Sequence, residues 1–272
     1  MELRWEETIG MTMERVSVED LNVSYISSTG KIDALQNVSF KVYDGEFVTM
    51  VGPSGCGKTT LLNAIAGLLS FRKDVLIKGT TIVQNVRSIG YVFQRDALLP
   101  WRTVIENVAL GLEVKGVSRE KRMSTALGFL RMVGLEGYEG RYPHELSAGM
   151  RQRVALARAL AYDPELILMD EPLGSLDAQT RTILQDELLT IHKRTRKTMV
   201  MVTHDIAEAI ILGDRVLVMS SRPGRIKSEY KVELPKPRSA LNSRLDPEFN
   251  RLYRLIWDGL KEEIQAEQLS HP

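Results

Sequence analysis

Residues 51–60 read "VGPSGCGKTT", with three glycines in six positions. Glycine loses the most backbone freedom on ordering and buries no side chain, so such a run weakens any helix or strand that contains it. The flanks explain its presence. "EFVTMV" (46–51) reads as a short apolar strand, and in "TTLLNAIAGLL" (59–69) Leu61, Leu62, Ile65 and Leu69 fall on one helical face. The glycines therefore join a strand to a helix. Gly52, Gly57, Lys58 and Thr59 fit G-x-x-x-x-G-K-[ST], a loop whose backbone N–H groups curl around phosphate oxygens at the positive end of a helix. In that pattern Lys58 reaches the β and γ phosphates and the Thr59 hydroxyl ligates Mg²⁺, so a nucleoside triphosphate is the expected ligand. Many NTPases share this loop, and its kind has to be read from the rest of the chain.

The 272 residues can bury a substantial core, lying between one large domain and two small ones. Lys+Arg 36 against Asp+Glu 35 leaves a net charge of +1, without the global basic field that gathers nucleic acid. The single cysteine, Cys56, lies inside the loop and rules out an intrachain disulfide framework, which fits a reducing cytoplasm. No stretch approaches ~18 consecutive apolar residues, and "MELRWEETIGMTMERVSVED" has no apolar signal-peptide core, so neither a membrane span nor export is expected.

Residues 1–13 are polar and support no assignment. From Arg15 to Val51, alternating apolar and polar residues with turn signals at Ser28–Gly30 and Asp44–Gly45 predict a small sheet. Two or three short strands follow in 71–93, ending at "IGYVFQ". "TVIENVALGLEVKG", "SREKRMSTALGFLRMVGL" and "SAGMRQRVALARALAYDP" then carry helical patterns without a strand candidate, as an inserted helical subdomain would. The core resumes with strand "LILMD", helix "AQTRTILQDELLTIHKRT" and strands "TMVMVTH" and "RVLVMSS". Strands alternating with helices predict an α/β fold with a mainly parallel sheet. After "ELPKPRS", a proline-bearing linker, Phe249, Leu252, Ile256, Leu260 and Ile264 share one face of a terminal helix. Docking on the domain and binding to a membrane surface are both open for it, the mixed charge of its polar face favouring docking.

"ELILMDEP" (165–172) delivers Asp170 and Glu171 at the end of an apolar strand, where ligands bind in open α/β folds. Asp170 would hold Mg²⁺, directly or through water, and Glu171 would polarise the attacking water. The alternative is two solvated acids in a turn before Pro172. In "HELSAGMRQRVALARAL", Ser147 sits at the N-cap of a helix running from about Ala148 to Ala161. Its hydroxyl, the following amides and the helix dipole make a second anion site. The alternative is an ordinary capped helix with Arg151, Arg153 and Arg158 in solvent.

"GPSGCGKTT", "VFQ" with Gln94, "LSAGMRQR", "LILMDEP", "GSLD" with Asp177 and "VTHD" with His204, in this order, resemble the nucleotide-binding subunit of an ATP-binding cassette (ABC) transporter from about Glu14 to Ile226. The resemblance implies a P-loop NTPase (RecA-like) core with an N-terminal antiparallel β subdomain and an inserted α-helical subdomain. The ATP-binding domain would span 14–230: 14–95 the β subdomain and first part of the core, 96–160 the helical subdomain, 161–230 the rest of the core. Residues 231–272 would be linker and C-terminal helix. In that family two subunits sandwich two ATP molecules, each between one chain's phosphate loop and the other's signature motif, here Leu146–Met150.

The resemblance matches Tyr25 to the aromatic that stacks on adenine. It gives the phosphate cradle to Gly52, Pro53, Ser54, Gly55, Cys56, Gly57, Lys58, Thr59 and Thr60, with Thr59, Gln94 and Asp170 at Mg²⁺. Glu171 resembles the general base, and His204 the residue that contacts the γ-phosphate and orients the water. Ser147 and Gly149 would serve the partner's nucleotide, and Asp177 would organise the dimer face. Sheet aromatic and structural histidine are the plain alternatives for Tyr25 and His204.

Ala148 and Met150 depart from the commonest signature, Leu-Ser-Gly-Gly-Gln. Alanine is favourable at 148 if that position is already helical. "RDALLPWRTVIENVALGL", "LGSLDAQTR" and "SSRPGRI" are most similar to the importer branch serving nitrate, taurine, aliphatic sulfonates and related solutes, although residues 70–90 are shorter and poorer in proline than that branch usually shows. This implies a homodimer on the cytoplasmic face of a membrane permease, with an extracytoplasmic solute-binding protein supplying the solute. Trp101, in "LLPW", reads as either an anchor for the permease or a buried loop aromatic. A soluble ABC ATPase acting on nucleic acid or ribosomes is the alternative class; one cassette, no long heptad array and a near-neutral charge count against it.

Overall fold

In "FVTMV" every side chain is buried, which a strand covered on both faces requires and which leaves no alternation to read. This strand, β3 (Phe47–Val51), lies inside a six-stranded sheet. The computed structural model describes residues 13–270 apart from Thr29, Lys73, Asn85, Arg87 and Ser175. The reading of residues 1–12, the serine of "GSLD" and the side chain of Ile264 lie outside the described residues.

The sheet order is β5 (Ile89–Val92), β6 (Leu166–Asp170), β7 (Thr198–Thr203), β3, β8 (Arg215–Met219), β9 (Ile226–Lys231). All neighbours are parallel except β8 and β9, so the sheet is parallel with one antiparallel edge. Strands β1 (Glu14–Ser27), β2 (Gly30–Tyr43) and β4 (Val75–Val83) form a separate antiparallel sheet ordered β2-β1-β4. On one face of the main sheet Val48, Met50, Leu168 and Val200 pack with Leu61 and Leu62 of α1 (Lys58–Ile65) and with the small sheet. On the other face Phe47, Ile167 and Met201 pack with Leu156 of α4 (Ala148–Ala161), Leu184 of α5 (Ala178–Thr195) and Ile210 of α6 (Ile206–Leu212).

Between β5 and β6 the chain forms α2 (Val104–Val114), α3 (Arg119–Met132) and α4, around a core that includes Val104, Val108, Leu130, Leu146 and Val154. Thr103 and Glu106 start α2 with a reciprocal capping box. The last helix, α7 (Pro247–Ser270), buries Phe249, Leu252, Ile256 and Leu260 against the face carrying α6, so these four residues of the stripe dock on the domain.

Four expectations are corrected. The small sheet expected from Arg15 to Val51 stops at Tyr43: β3, buried on both faces, belongs to the main sheet, and β4 completes the small one. Helix α1 ends at Ile65 rather than running to Leu69, because Gly67 turns to φ 72, the left-handed conformation that stops helices; Leu69 is still buried, from a 3-10 turn. Helix α6 lies between "TMVMVTH" and "RVLVMSS", where two successive strands were expected. Strand β9 adds an antiparallel edge beyond "RVLVMSS".

One ion cluster joins the two sheets. The Arg215 guanidinium holds both oxygens of Glu46, at 2.8 and 3.0 Å, as well as Glu229 and the Lys41 carbonyl. Burial pushes the Glu46 carboxyl up, and the nearby Arg215 charge offsets part of that. Arg215→Met removes one partner and strands a carboxylate that is 6% exposed. It is expected to cost about 3 kcal/mol in chemical denaturation; an unchanged midpoint would mean that the pair contributes no net stability.

Candidate nucleotide site

Four adjacent parallel strands end at one edge of the sheet, and each hands a polar residue to it. Strand β3 runs into the loop before Lys58, β5 leads to Gln94, β6 ends in Asp170 and Glu171, and β7 leads to His204. The carboxyl edge of a parallel sheet is where open α/β folds bind ligands. The loop turns into α1 at Gly57, whose φ of 105 only glycine adopts readily; a Cβ there would also sit 2.7 Å from Leu35 Cδ2 and 2.8 Å from the Ala34 carbonyl.

Lys58 is 5% exposed and folds back across the loop, its Nζ donating to the carbonyls of Gly52 and Pro53 at 2.9 Å each. The same Nζ lies 3.9 Å from Glu171 Oε1. The other oxygen, Oε2, accepts from Gln94 Nε2 at 3.4 Å and lies 3.1 Å from His204 Nδ1. Glu171 has φ 44, a left-handed conformation uncommon outside glycine, and this strained backbone turns the chain directly after β6. Three residues from three other strand ends therefore converge on one carboxylate.

Beside it, the Thr59 hydroxyl donates to Asp170 Oδ1 at 3.0 Å. Burial pushes the Asp170 carboxyl up, the Thr59 hydrogen bond pulls it down and the Glu171 charge raises it again. A hydroxyl and a carboxylate are hard oxygen donors, and a cation between them would relieve the cost of holding Asp170 ionised. Among the described residues no three or more His, Cys, Asp or Glu gather into a group able to hold an ion by themselves. The pair therefore suits a magnesium ion that takes its remaining ligands from phosphate and water.

Tyr25 is half-buried near the end of β1, the middle strand of the small sheet, its hydroxyl 3.1 Å from Thr60 Oγ1 and its ring under the Arg72 guanidinium, 5.5 Å from the centroid. Ser147, Gly149 and Asp177 are not part of the Lys58–Glu171 cluster. Ser147 is exposed and caps α4, its Oγ accepting from the Met150 amide at 3.3 Å. Ala148 is the first helical residue, so it takes the favourable case and needs no positive φ. Asp177 caps α5 by accepting from the Gln179 and Thr180 amides, and the Thr180 bonds hold its carboxyl below the usual range. These two helix starts touch: a Cβ on Gly149 would lie 2.7 Å from Thr180 Cγ2, so the glycine is needed for close approach.

The arginines of α4 are not in bulk solvent. Arg151 pairs with Asp96, Arg153 lies 3.7 Å from Glu187, and Arg158 donates to the carbonyls of Asp96 and Ala97. Arg181 was not singled out in the sequence, yet it joins the Leu176 carbonyl to the Asp205 carboxylate beside His204. Nothing in local spacing marks these long-range contacts. Trp101 is 71% exposed, which removes the buried-aromatic alternative.

A family model described as ABC transporter matches residues 35–174. An uncharacterised ABC transporter ATP-binding protein of Methanocaldococcus jannaschii is 48% identical over 251 residues, covering 92% of this chain and 92% of that protein. A taurine import ATP-binding protein of Rhizobium johnstonii is 43% identical over 257 residues, covering 92% of this chain and 95% of the relative. Among solved structures, a dimeric ATP-binding cassette in a post-hydrolysis state with ADP and Pi superposes with a TM-score of 0.71 at 35% identity, covering 80% of this chain and 99% of that one.

Proposed function

This chain belongs to the ABC transporter family and is one of its ATPases, and from that premise we propose that it powers uptake of taurine or a related small solute through a membrane permease. The convergence of Lys58, Gln94 and His204 on Glu171 carries the catalytic part of this reading. ATP lies with its adenine against Tyr25 and its phosphates in the loop from Gly52 to Thr60. Lys58, held by two carbonyls, faces the β and γ phosphates and balances their charge. Thr59, Asp170 and Gln94, the last of which donates to the adjacent Glu171, would hold Mg²⁺, which supplies further neutralisation of the phosphates when bound.

Glu171 takes a proton from the water that attacks the γ-phosphorus. His204, against the same carboxylate, orients that water and contacts the γ-phosphate. Ser147 and Gly149 act on the nucleotide of a second copy, and Asp177 shapes the face between the copies. Two cassettes of this kind dimerise on their permease, a reading supported by the dimeric structure of the relative with ADP and Pi. The exposed Trp101, following Pro100 in a loop that begins at Gln94, is the anchor for the permease on the cytoplasmic side. An extracytoplasmic solute-binding protein delivers the solute. Among the described residues no helix is long and apolar enough to cross a membrane.

Lys58→Ala tests the phosphate-loop assignment. The variant is expected to weaken ATP binding by about tenfold or more, the 1.4 kcal/mol or greater that a desolvated charge contact supplies, while its fold survives by circular dichroism. Equal affinity in mutant and parent by calorimetry would remove Lys58 from the phosphates.

A further inference from the structure

The loop after Gln94 does not hang between the sheet and the helical block. Asn107, fully buried on α2, accepts from the Leu99 amide and donates to the carbonyls of Leu99, Arg102 and Thr103. Leu98 is buried in the core of the helical block. Arg158 donates to the carbonyls of Asp96 at 2.9 Å and of Ala97 at 2.8 Å, and Ala97 takes a left-handed φ of 48 there. The fourth tie reaches the signature motif. Arg151 Nε donates to Asp96 Oδ2 at 2.8 Å while its Nη1 donates to the Leu146 carbonyl at 2.7 Å. One guanidinium thus spans the loop that carries Trp101 and the residue immediately before Ser147. Both members of the ion pair are about two-thirds shielded from solvent, with side chains 33% and 29% exposed, unlike the Arg131–Glu136 pair of the same block at 58% and 66%.

We propose that Arg151 is a positioning residue for the signature motif, and that its pairing with Asp96 makes the placement of Leu146 and Ser147 depend on the loop at 95–103. The inference rests on the reading of Ser147 as serving the partner's ATP. A permease pressing on Trp101 then moves the residue that grips a nucleotide held by the other copy, with no contact to the nucleotide of its own chain. The planar fork of arginine suits this task, since two of its N–H groups address two acceptors in fixed relative directions.

The test uses the full chain in a Glu171→Gln background, with the dimer dissociation constant measured by sedimentation in MgATP and ATP affinity measured on dilute monomer. Asp96→Ala is expected to weaken the dimer about tenfold, and Arg151→Ala at least as much. The double variant should be no weaker than Arg151→Ala alone, because Asp96 acts through that guanidinium. Monomer ATP affinity should stay at the parental value in all three, and Glu136→Gln should change neither quantity. A dimer constant for Asp96→Ala within about twofold of the parent, losses that add in the double variant, or a fall in monomer ATP affinity would each overturn the proposal. If the Glu171→Gln parent itself fails to dimerise with ATP, the two-copy reading has failed, and the positioning role falls with it.

Discussion

Glu171→Gln is expected to bind MgATP, to hydrolyse it about 10² to 10⁴ times more slowly than the parent, and to accumulate as an ATP-bound dimer. The amide keeps the shape of the carboxylate and its capacity to accept from Gln94, now at 3.4 Å, but it cannot take a proton. The loss should appear in turnover rather than in nucleotide binding, because in the proposed mechanism Glu171 acts on the attacking water and holds neither the adenine nor the phosphates. Its left-handed backbone, φ 44, is set by the turn after β6, where the Glu171 amide donates to the Val202 carbonyl and the Gly174 amide to the Glu171 carbonyl. The substitution therefore leaves the aim of the side chain intact. Phosphate release and size-exclusion chromatography with ATP read the two halves of the expectation. Unimpaired turnover would take the base role from Glu171 and leave His204, on the same oxygen, as the group to examine.

Much of this site is legible in sequence because its parts are local. The loop at 51–60 encodes its own turn, and Ser147 is marked as a cap by its residue type and by the helical pattern that follows. Asp170 and Glu171 follow an apolar strand and so land on the sheet edge. Helix α6 is hidden for the opposite reason. "IAEAIIL" is only seven residues long, and six of them are buried, so it has no 3.6-residue stripe to detect. The edge strand β9, "IKSEYK", is half solvated and polar. Arg151, Arg158 and Arg181 carry no local signature, since Asp96 lies 55 positions from Arg151 in sequence and Asp205 lies 24 from Arg181. Gly149 is conspicuous in the motif, but its steric reason, Thr180 of the next helix, exists only in three dimensions.

In the proposed mechanism one chain carries two anion-binding helix starts, and the fold keeps them apart. Lys58 opens α1 within the Glu171 cluster, while Ser147 opens α4 on an exposed corner beside Asp177. If Ser147 serves the nucleotide of the other copy, its loss must show in assembly. Ser147→Arg places a bulky cation where the partner's phosphates dock and also removes the cap of α4, a loss of about 1 kcal/mol. Ser147→Asp keeps the cap and instead sets a carboxylate against those phosphates. Both variants are expected to abolish ATP-driven dimerisation. Mixed with Lys58→Ala, Ser147→Arg would form heterodimers in which one composite site carries both lesions and the other neither, so hydrolysis can return if one intact site suffices.

The most direct measurement is the ATP affinity of Ser147→Arg as a monomer, by calorimetry or fluorescent-nucleotide titration at protein concentrations too low for pairing. The parental affinity is expected, together with complete loss of the ATP dimer at high concentration. A fall of about tenfold or more, some 1.4 kcal/mol, in the monomer would mean that Ser147 and Lys58 hold the same nucleotide, and the two-copy site would be contradicted.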